Sequence, residues 1–233
     1  MSMVNRMRLR RAFLLAYLFP FLLILLHHVY AKEDPVDEEH KVETVTYGSI
    51  IKLEHVETGY RLHSHEIAYG SGSRQQSVTC HSSTGDSNSL WIIKSELEKP
   101  AMKQGTQVKC GDTIRLQHVN TGKNLHSHLH QAPKGRDKEV SAYAKEGEMG
   151  IWNDGDSGDN WELICGEDEI DKGVWRRFAS VALRNVDTMN YLSSSKSNMF
   201  GHPIPGQLQV DATSKNTKKS KWKTNEGVYF APH

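Results

Sequence analysis

The residues with the most chemical capacity in this chain are histidines set two apart. His63 and His65 form one pair, and His126 and His128 form another. At that spacing both rings of a pair point to one side of a strand. Four imidazoles could in principle ligate a transition metal; the framework alternative has them hydrogen-bonding turns at a barrel mouth. Next come Asp154, Asp156 and Asp159 in the run NDGDSGDN. Alternating carboxylates suggest calcium, but a calcium loop of the EF-hand type needs Gly at its sixth position and Glu at its twelfth. Asp159 and Cys165 stand there instead, so a solvated insertion is expected. A basic run, Lys215, Lys218, Lys219, Lys221 and Lys223, could meet an anionic ligand or lipid headgroups. Trp222 interrupts it with a core residue, which favours a solvated loop before a last strand. Ser64 and Ser127 each neighbour a histidine, yet adjacent strand residues face opposite ways and cannot form a dyad. No phosphate-cradling glycine loop or metalloprotease motif is present. No catalytic residue is expected.

The elements that hold these residues follow from self-similarity. IKLEHVETGYRLHSH (Ile51 to His65) recurs as IRLQHVNTGKNLHSH (Ile114 to His128), with 10 of 15 positions identical. A worn third copy, VALRNVDTMNYLSSS, runs from Val181 to Ser195. Each copy is followed by a second short β-rich run (QSVTC, EVSAY, LQVDA) and closes on a tryptophan: Trp91, Trp161 and Trp222. Within a copy, Ile51 and Leu53 alternate with Lys52 and Glu54, the period of a strand with one buried face. Glu57-Thr58-Gly59 reads as a tight turn with glycine where positive φ is cheap. Tyr60 to His65 is then expected to return as the partner strand, with Leu62 in the core. One four-strand unit cannot bury its apolar face alone, whereas three around an axis can. The fold class expected is all-β: a β-trefoil, six strands closed into a barrel and three hairpins capping it. The third copy carries Ser193 and Ser195 in place of the histidines, and the two histidine pairs lie a third of a turn apart. They do not share a coordination sphere, so no metal and no other cofactor is expected.

The N-terminus is a different material. Arg6, Arg8, Arg10 and Arg11 precede an apolar run from Ala12 to Leu26, and Val29-Tyr30-Ala31 places small residues before a cut after Ala31. This reads as a secretory signal peptide over residues 1–31. Residues 32–43 are acidic and polar and read as a disordered leader. Repeats are expected over 42–97, 105–166 and 173–227. The whole chain carries 29 basic and 28 acidic side chains. Losing the four leader arginines leaves a net charge of −3, which argues against nucleic acid as partner. No later segment is apolar enough to span a membrane.

The run LxHVxTGxxLHSH, seen twice, followed by a short strand and a tryptophan, resembles the MIR motif. Protein O-mannosyltransferases and inositol-trisphosphate and ryanodine receptors share that motif. A signal peptide followed by three such copies is similar to the stromal cell-derived factor 2 family, on YGSGSRQQSVT (Tyr69 to Thr79) and NTGKNLHSH (Asn120 to His128) above all. The resemblance implies a β-trefoil in the endoplasmic reticulum lumen. It also implies a non-catalytic role in quality control beside a J-domain co-chaperone and BiP, acting on misfolded clients, with a link to O-mannosylation. The binding residues are unknown at this stage. The rival reading is a β-trefoil lectin with a glycan ligand, although the Gln-x-Trp closing motif is missing. The chain ends Tyr229 to His233 without a retention tetrapeptide, so residence through a retained partner, or secretion, is expected. Cys110 begins the second repeat and Cys165 follows its closing strand; a trefoil brings these together, which pairs them and leaves Cys80 as a free thiol.

Overall fold

The computed structural model describes residues 43–145, 155–166 and 173–233; the expected signal peptide, nearly all of the acidic leader and Asp154 lie outside them. Among the described residues there are twelve strands in four-strand units. Six strands form the barrel: β1 (Ile50–His55), β4 (Trp91–Ser95), β5 (Thr113–His118), β8 (Trp161–Cys165), β9 (Val181–Asn185) and β12 (Trp222–Val228). β1 pairs with β4, β4 with β5, β5 with β8, β8 with β9, β9 with β12 and β12 with β1, all antiparallel. The ring closes without a free edge, which removes the template for edge-to-edge aggregation.

The other six strands make three hairpins: β2 (Arg61–Ala68) with β3 (Gln76–His81), β6 (Asn124–Gln131) with β7 (Lys138–Tyr143), and β10 (Tyr191–Met199) with β11 (Leu208–Thr213). Their second strands meet one another in a triangle: Gln76 opposite Ala142, Asp211 opposite Glu139, and Leu208 opposite Cys80. This is a β-trefoil, with one correction to the expected strand partner. β2 meets β1 only at Arg61 opposite Glu54, then leaves to pair with β3. A strand has two hydrogen-bonding edges, and those of β1 are already taken by β4 and β12.

Packing repeats with the sequence. Ile51, Ile114 and Val181, then Leu53, Leu116 and Leu183, then Leu62, Leu125 and Leu192 are all fully buried. Trp91, Trp161 and Trp222 are buried too, and each indole Nε1–H donates to the carbonyl of its own repeat's leucine: Leu62 at 2.9 Å, Leu125 at 2.9 Å and Leu192 at 2.8 Å. The indole thus fills the core and satisfies a hairpin carbonyl that has left the barrel ladder.

Neighbouring repeats are stapled at the turns. His55 Nε2 donates to the carbonyl of Lys219 at 2.8 Å, His118 Nε2 to that of Asn88 at 2.9 Å, and Asn185 Nδ2 to that of Gly158 at 2.8 Å. Each side chain reaches back to the preceding repeat, and His55 closes the ring by gripping the last. At another level of the molecule, Val45, Val108 and Trp175 form a cyclic triangle of backbone hydrogen bonds at 2.8–3.0 Å, each N–H reaching a different member's carbonyl. The three residues are wholly buried. Glu43, assigned by sequence to the leader, already takes part: its carbonyl accepts from Arg177 N–H at 2.9 Å.

Cys110 and Cys165 are disulfide-bonded, with Cα atoms 5.6 Å apart and a sequence separation of 55. Closing a loop of that length removes unfolded-state entropy corresponding to about 4 kcal/mol in the chain-entropy picture.

Candidate functional site

The turn after β1, β5 and β9 launches each hairpin strand with its leucine inward. The next residues alternate in the same way in all three repeats. Ser64, Ser127 and Ser194 are buried, and their hydroxyls donate to the carbonyls of Ser77, Glu139 and Gln209 at 2.8, 3.1 and 2.8 Å. These serines hold the hairpins together and face no base. The histidines take the opposite face.

In repeat 1, His63 is buried. Its Nδ1 donates to Asp86 at 2.7 Å and its Nε2 faces His65 Nδ1 at 2.9 Å. His81 from β3 stacks on His63 with centroids 5.2 Å apart. Burial holds the pKa of His63 and of His65 below the usual value, and the Asp86 contact only partly offsets this for His63. Asp86 caps the 3-10 turn Ser87–Ser89 and accepts the Ser89 hydroxyl at 2.6 Å. Burial pushes its carboxyl up, but hydrogen bonds from Ser89 and His63 outweigh that and leave it below the ordinary range.

Repeat 2 has the same plan with more charge. His126 Nδ1 lies 3.0 Å from Asp159 Oδ1 and 3.4 Å from Asp156 Oδ1. Asn124 Nδ2 donates to Asp159 Oδ2 at 3.0 Å. Asp156 caps the 3-10 turn Ser157–Asp159 by accepting Gly158 N–H at 3.0 Å. The expected solvated insertion therefore needs correction. Asp156 is exposed, but Asp159 is 0% exposed, and burial together with Asp156 raises its pKa against the lowering effect of His126. Further along β6, His128 Nε2 lies 3.2 Å from the buried Glu139, which also accepts the Ser73 hydroxyl. His130 follows on the same face, its ring 4.8 Å from that of His128. His126, His128, His130 and exposed Leu129 line an open groove of about 590 Å³, completed by Ser73 and Gln75 from the first hairpin. A smaller groove of about 310 Å³ adjoins it at Gln75, with Glu66, Arg74, Thr121 and Lys123 on its walls.

Repeat 3 lacks the imidazoles. Ser193 donates its hydroxyl to Asp211, and Gln209 Nε2 donates to the other oxygen at 2.8 Å. Burial raises the Asp211 carboxyl to about 6. The framework is thus threefold while the chemistry on it is not. The two histidine pairs belong to separate clusters, as the repeat argument implied. Cys80 is buried, and burial pushes its thiol up to about 12, so it is a core residue and not a nucleophile. Lys215, Lys218 and Lys219 are exposed around the 3-10 turn Lys218–Ser220. Asp159, Glu139 and His130 are site residues that sequence reading misplaced or passed over. Only the fold brings Asp159 to His126, although the alternation His126, His128, His130 was there to extend.

Fold and site together define the class: a MIR-domain β-trefoil whose hairpin cap carries a histidine-lined groove, with Asp159 and Glu139 bonded to two of its imidazoles. The MIR domain family model matches residues 63–162. A stromal cell-derived factor 2-like protein of Dictyostelium discoideum is 43% identical over 218 residues, 92% of this chain and 97% of its own. Stromal cell-derived factor 2 of Homo sapiens is 40% identical over 188 residues, 81% and 83% of the two chains. The chain belongs to the stromal cell-derived factor 2 family. Among solved structures, the SDF2-like protein from Arabidopsis thaliana aligns with TM-score 0.73 at 41% identity, covering 81% of this chain and 98% of that one. The S. cerevisiae protein O-mannosyltransferase Pmt1-Pmt2 complex bound to the sugar donor aligns with TM-score 0.67 at 26% identity, over 83% of this chain and 27% of that one.

Proposed function

We propose that this protein is a non-catalytic binding module of endoplasmic reticulum quality control, delivered by its signal peptide and working beside a lumenal J-domain co-chaperone and BiP to keep misfolded clients soluble. The observation that carries this reading is family membership across 97% of a relative's length. The site geometry supports a binding role. Its serines and its free cysteine are locked in framework contacts, while an open groove presents imidazoles, a glutamine and exposed Leu129 to a partner. The trefoil shared with 27% of an O-mannosyltransferase chain supports a place near O-mannosylation.

The test is purification from native cells under mild crosslinking, paired with an aggregation assay on a reduced client. Recovery of lumenal chaperones, with delayed aggregation and no turnover of ATP or sugar donor, is the expected outcome. Purified protein that recovers no chaperone and delays no aggregation, yet binds mannosides at micromolar strength on a glycan array, would overturn the reading in favour of a lectin.

A further inference from the structure

The three repeats serve as controls for one another. At the 3-10 turn before each closing tryptophan, repeat 1 has Asp86 and Ser89, repeat 3 has Thr217 and Ser220, and repeat 2 has Asp156 and Asp159. In repeat 1 the serine hydroxyl donates to the capping carboxylate, so the turn satisfies itself. The fold therefore has no need of a second carboxylate at this place. Repeat 2 nevertheless carries one, buried at 0% exposure, and both carboxylates converge on the single nitrogen of His126.

We infer that His126 Nδ1, Asp156 Oδ1 and Asp159 Oδ1 form a binding site for a divalent transition-metal ion of the zinc type. The three ligand atoms lie within 4.8 Å of one another. Zinc bonds of about 2.0–2.2 Å in a tetrahedron place neighbouring ligand atoms about 3.3–3.5 Å apart. The distances from His126 Nδ1, 3.0 Å to Asp159 and 3.4 Å to Asp156, match that spacing after a small adjustment. One nitrogen and two carboxylate oxygens are a donor set that suits zinc, with water in the fourth position; calcium takes 6–8 oxygens and no imidazole. Asp159 is held in place by Asn124, the outer-shell support a ligating carboxylate needs. Asp156 has 53% of its side chain exposed, and His126 opens onto the 590 Å³ groove, which gives an ion its way in. A metal takes these three atoms only when each is free of a proton, so affinity falls as pH drops. The site draws on neither of the expectations set aside above: it uses one histidine from one pair, and no calcium loop.

The test replaces residues with those the sister repeats carry, so that each substitution is already known to fit this turn. Asp159→Ser takes the residue of repeats 1 and 3, and Asp156→Thr takes the capping residue of repeat 3. Untagged protein is titrated with zinc chloride by calorimetry and with cobalt(II) by visible absorption, and near-UV circular dichroism checks the fold. The expected result is one zinc per chain, at least tenfold tighter than calcium, with the cobalt band of a low-coordinate site. Asp159→Ser should weaken zinc at least 100-fold and Asp156→Thr at least tenfold. Should Asp159→Ser fail to fold, exposed Asp156→Thr reads the same site. Zinc bound with unchanged affinity by the folded variants, no zinc bound by the parent chain, or calcium bound as tightly as zinc would each overturn the assignment.

Discussion

Gly122 holds φ at +69° with open space where a Cβ would project, and Gly59 holds +73° in the same setting. The worn third repeat places Met189 there at +57°. The cost of a side chain at this turn is therefore purely conformational. Gly122→Ala should lose about 1 kcal/mol and Met189→Gly should gain about as much, since the exposed methionine side chain gives up little packing. Thermal melts check both; a loss several times larger in Gly122→Ala would show a contact the open space denies. These turns were legible in the sequence because Thr-Gly closes a period-two run and the requirement is local. Asp159 was not. Its burial depends on His126 and Asn124, far back along the chain, and nothing in NDGDSGDN distinguishes Asp159, which turns inward, from Asp156, which faces water.

The four-strand unit stands on its tryptophan. Trp161 fills the space between barrel and hairpin and donates to Leu125 O at 2.9 Å. Trp161→Phe keeps an aromatic ring but leaves a buried carbonyl unpaired and opens a cavity, so it should cost about 3 kcal/mol. Chemical denaturation would measure this, and a loss below about 1 kcal/mol would place the unit's stability elsewhere. Strand alternation made most barrel elements readable, and three spaced copies made the trefoil readable. Two features escaped. The partner of β2 is decided by which edges of β1 are already occupied, which is a property of the assembled ring. The triangle of Val45, Val108 and Trp175 is made of single backbone bridges, too short to carry any hydrophobic period.

For the molecule as a whole, the buried imidazoles set the response to pH. Burial lowers the pKa of His55, His63, His65 and His118 below 6.5. Below pH of about 6.5 the unfolded chain binds protons that these folded residues refuse, so stability is full above that pH and is lost as pH falls toward the folded values. Asp211 works in the opposite direction. Its carboxyl is raised from 3.8 to about 6, so the folded state takes up a proton first and stability from this group rises between pH 6 and 4. Asp159 is raised as well, while Asp86 and Glu226 are lowered, so six groups against two make acid destabilising. Melting temperatures at pH 7, 6 and 5 should fall for the parent protein and fall further for Asp211→Asn, which lacks the compensating group. The gap between the two should change by about 1 kcal/mol from pH 7 to pH 5 in the parent's favour; a constant gap would refute it. The closed ring also has a consequence for biosynthesis. The long partner of β1 is β12, from Ile50 opposite Val228 to His55 opposite Trp222, and the carbonyl that His55 grips belongs to Lys219. While the chain emerges from the ribosome N-terminus first, repeat 1 has no completed edge, and its apolar face stays open until β12 has been made. A nascent chain with that face open carries the same aggregation hazard from which the protein is proposed to shield others.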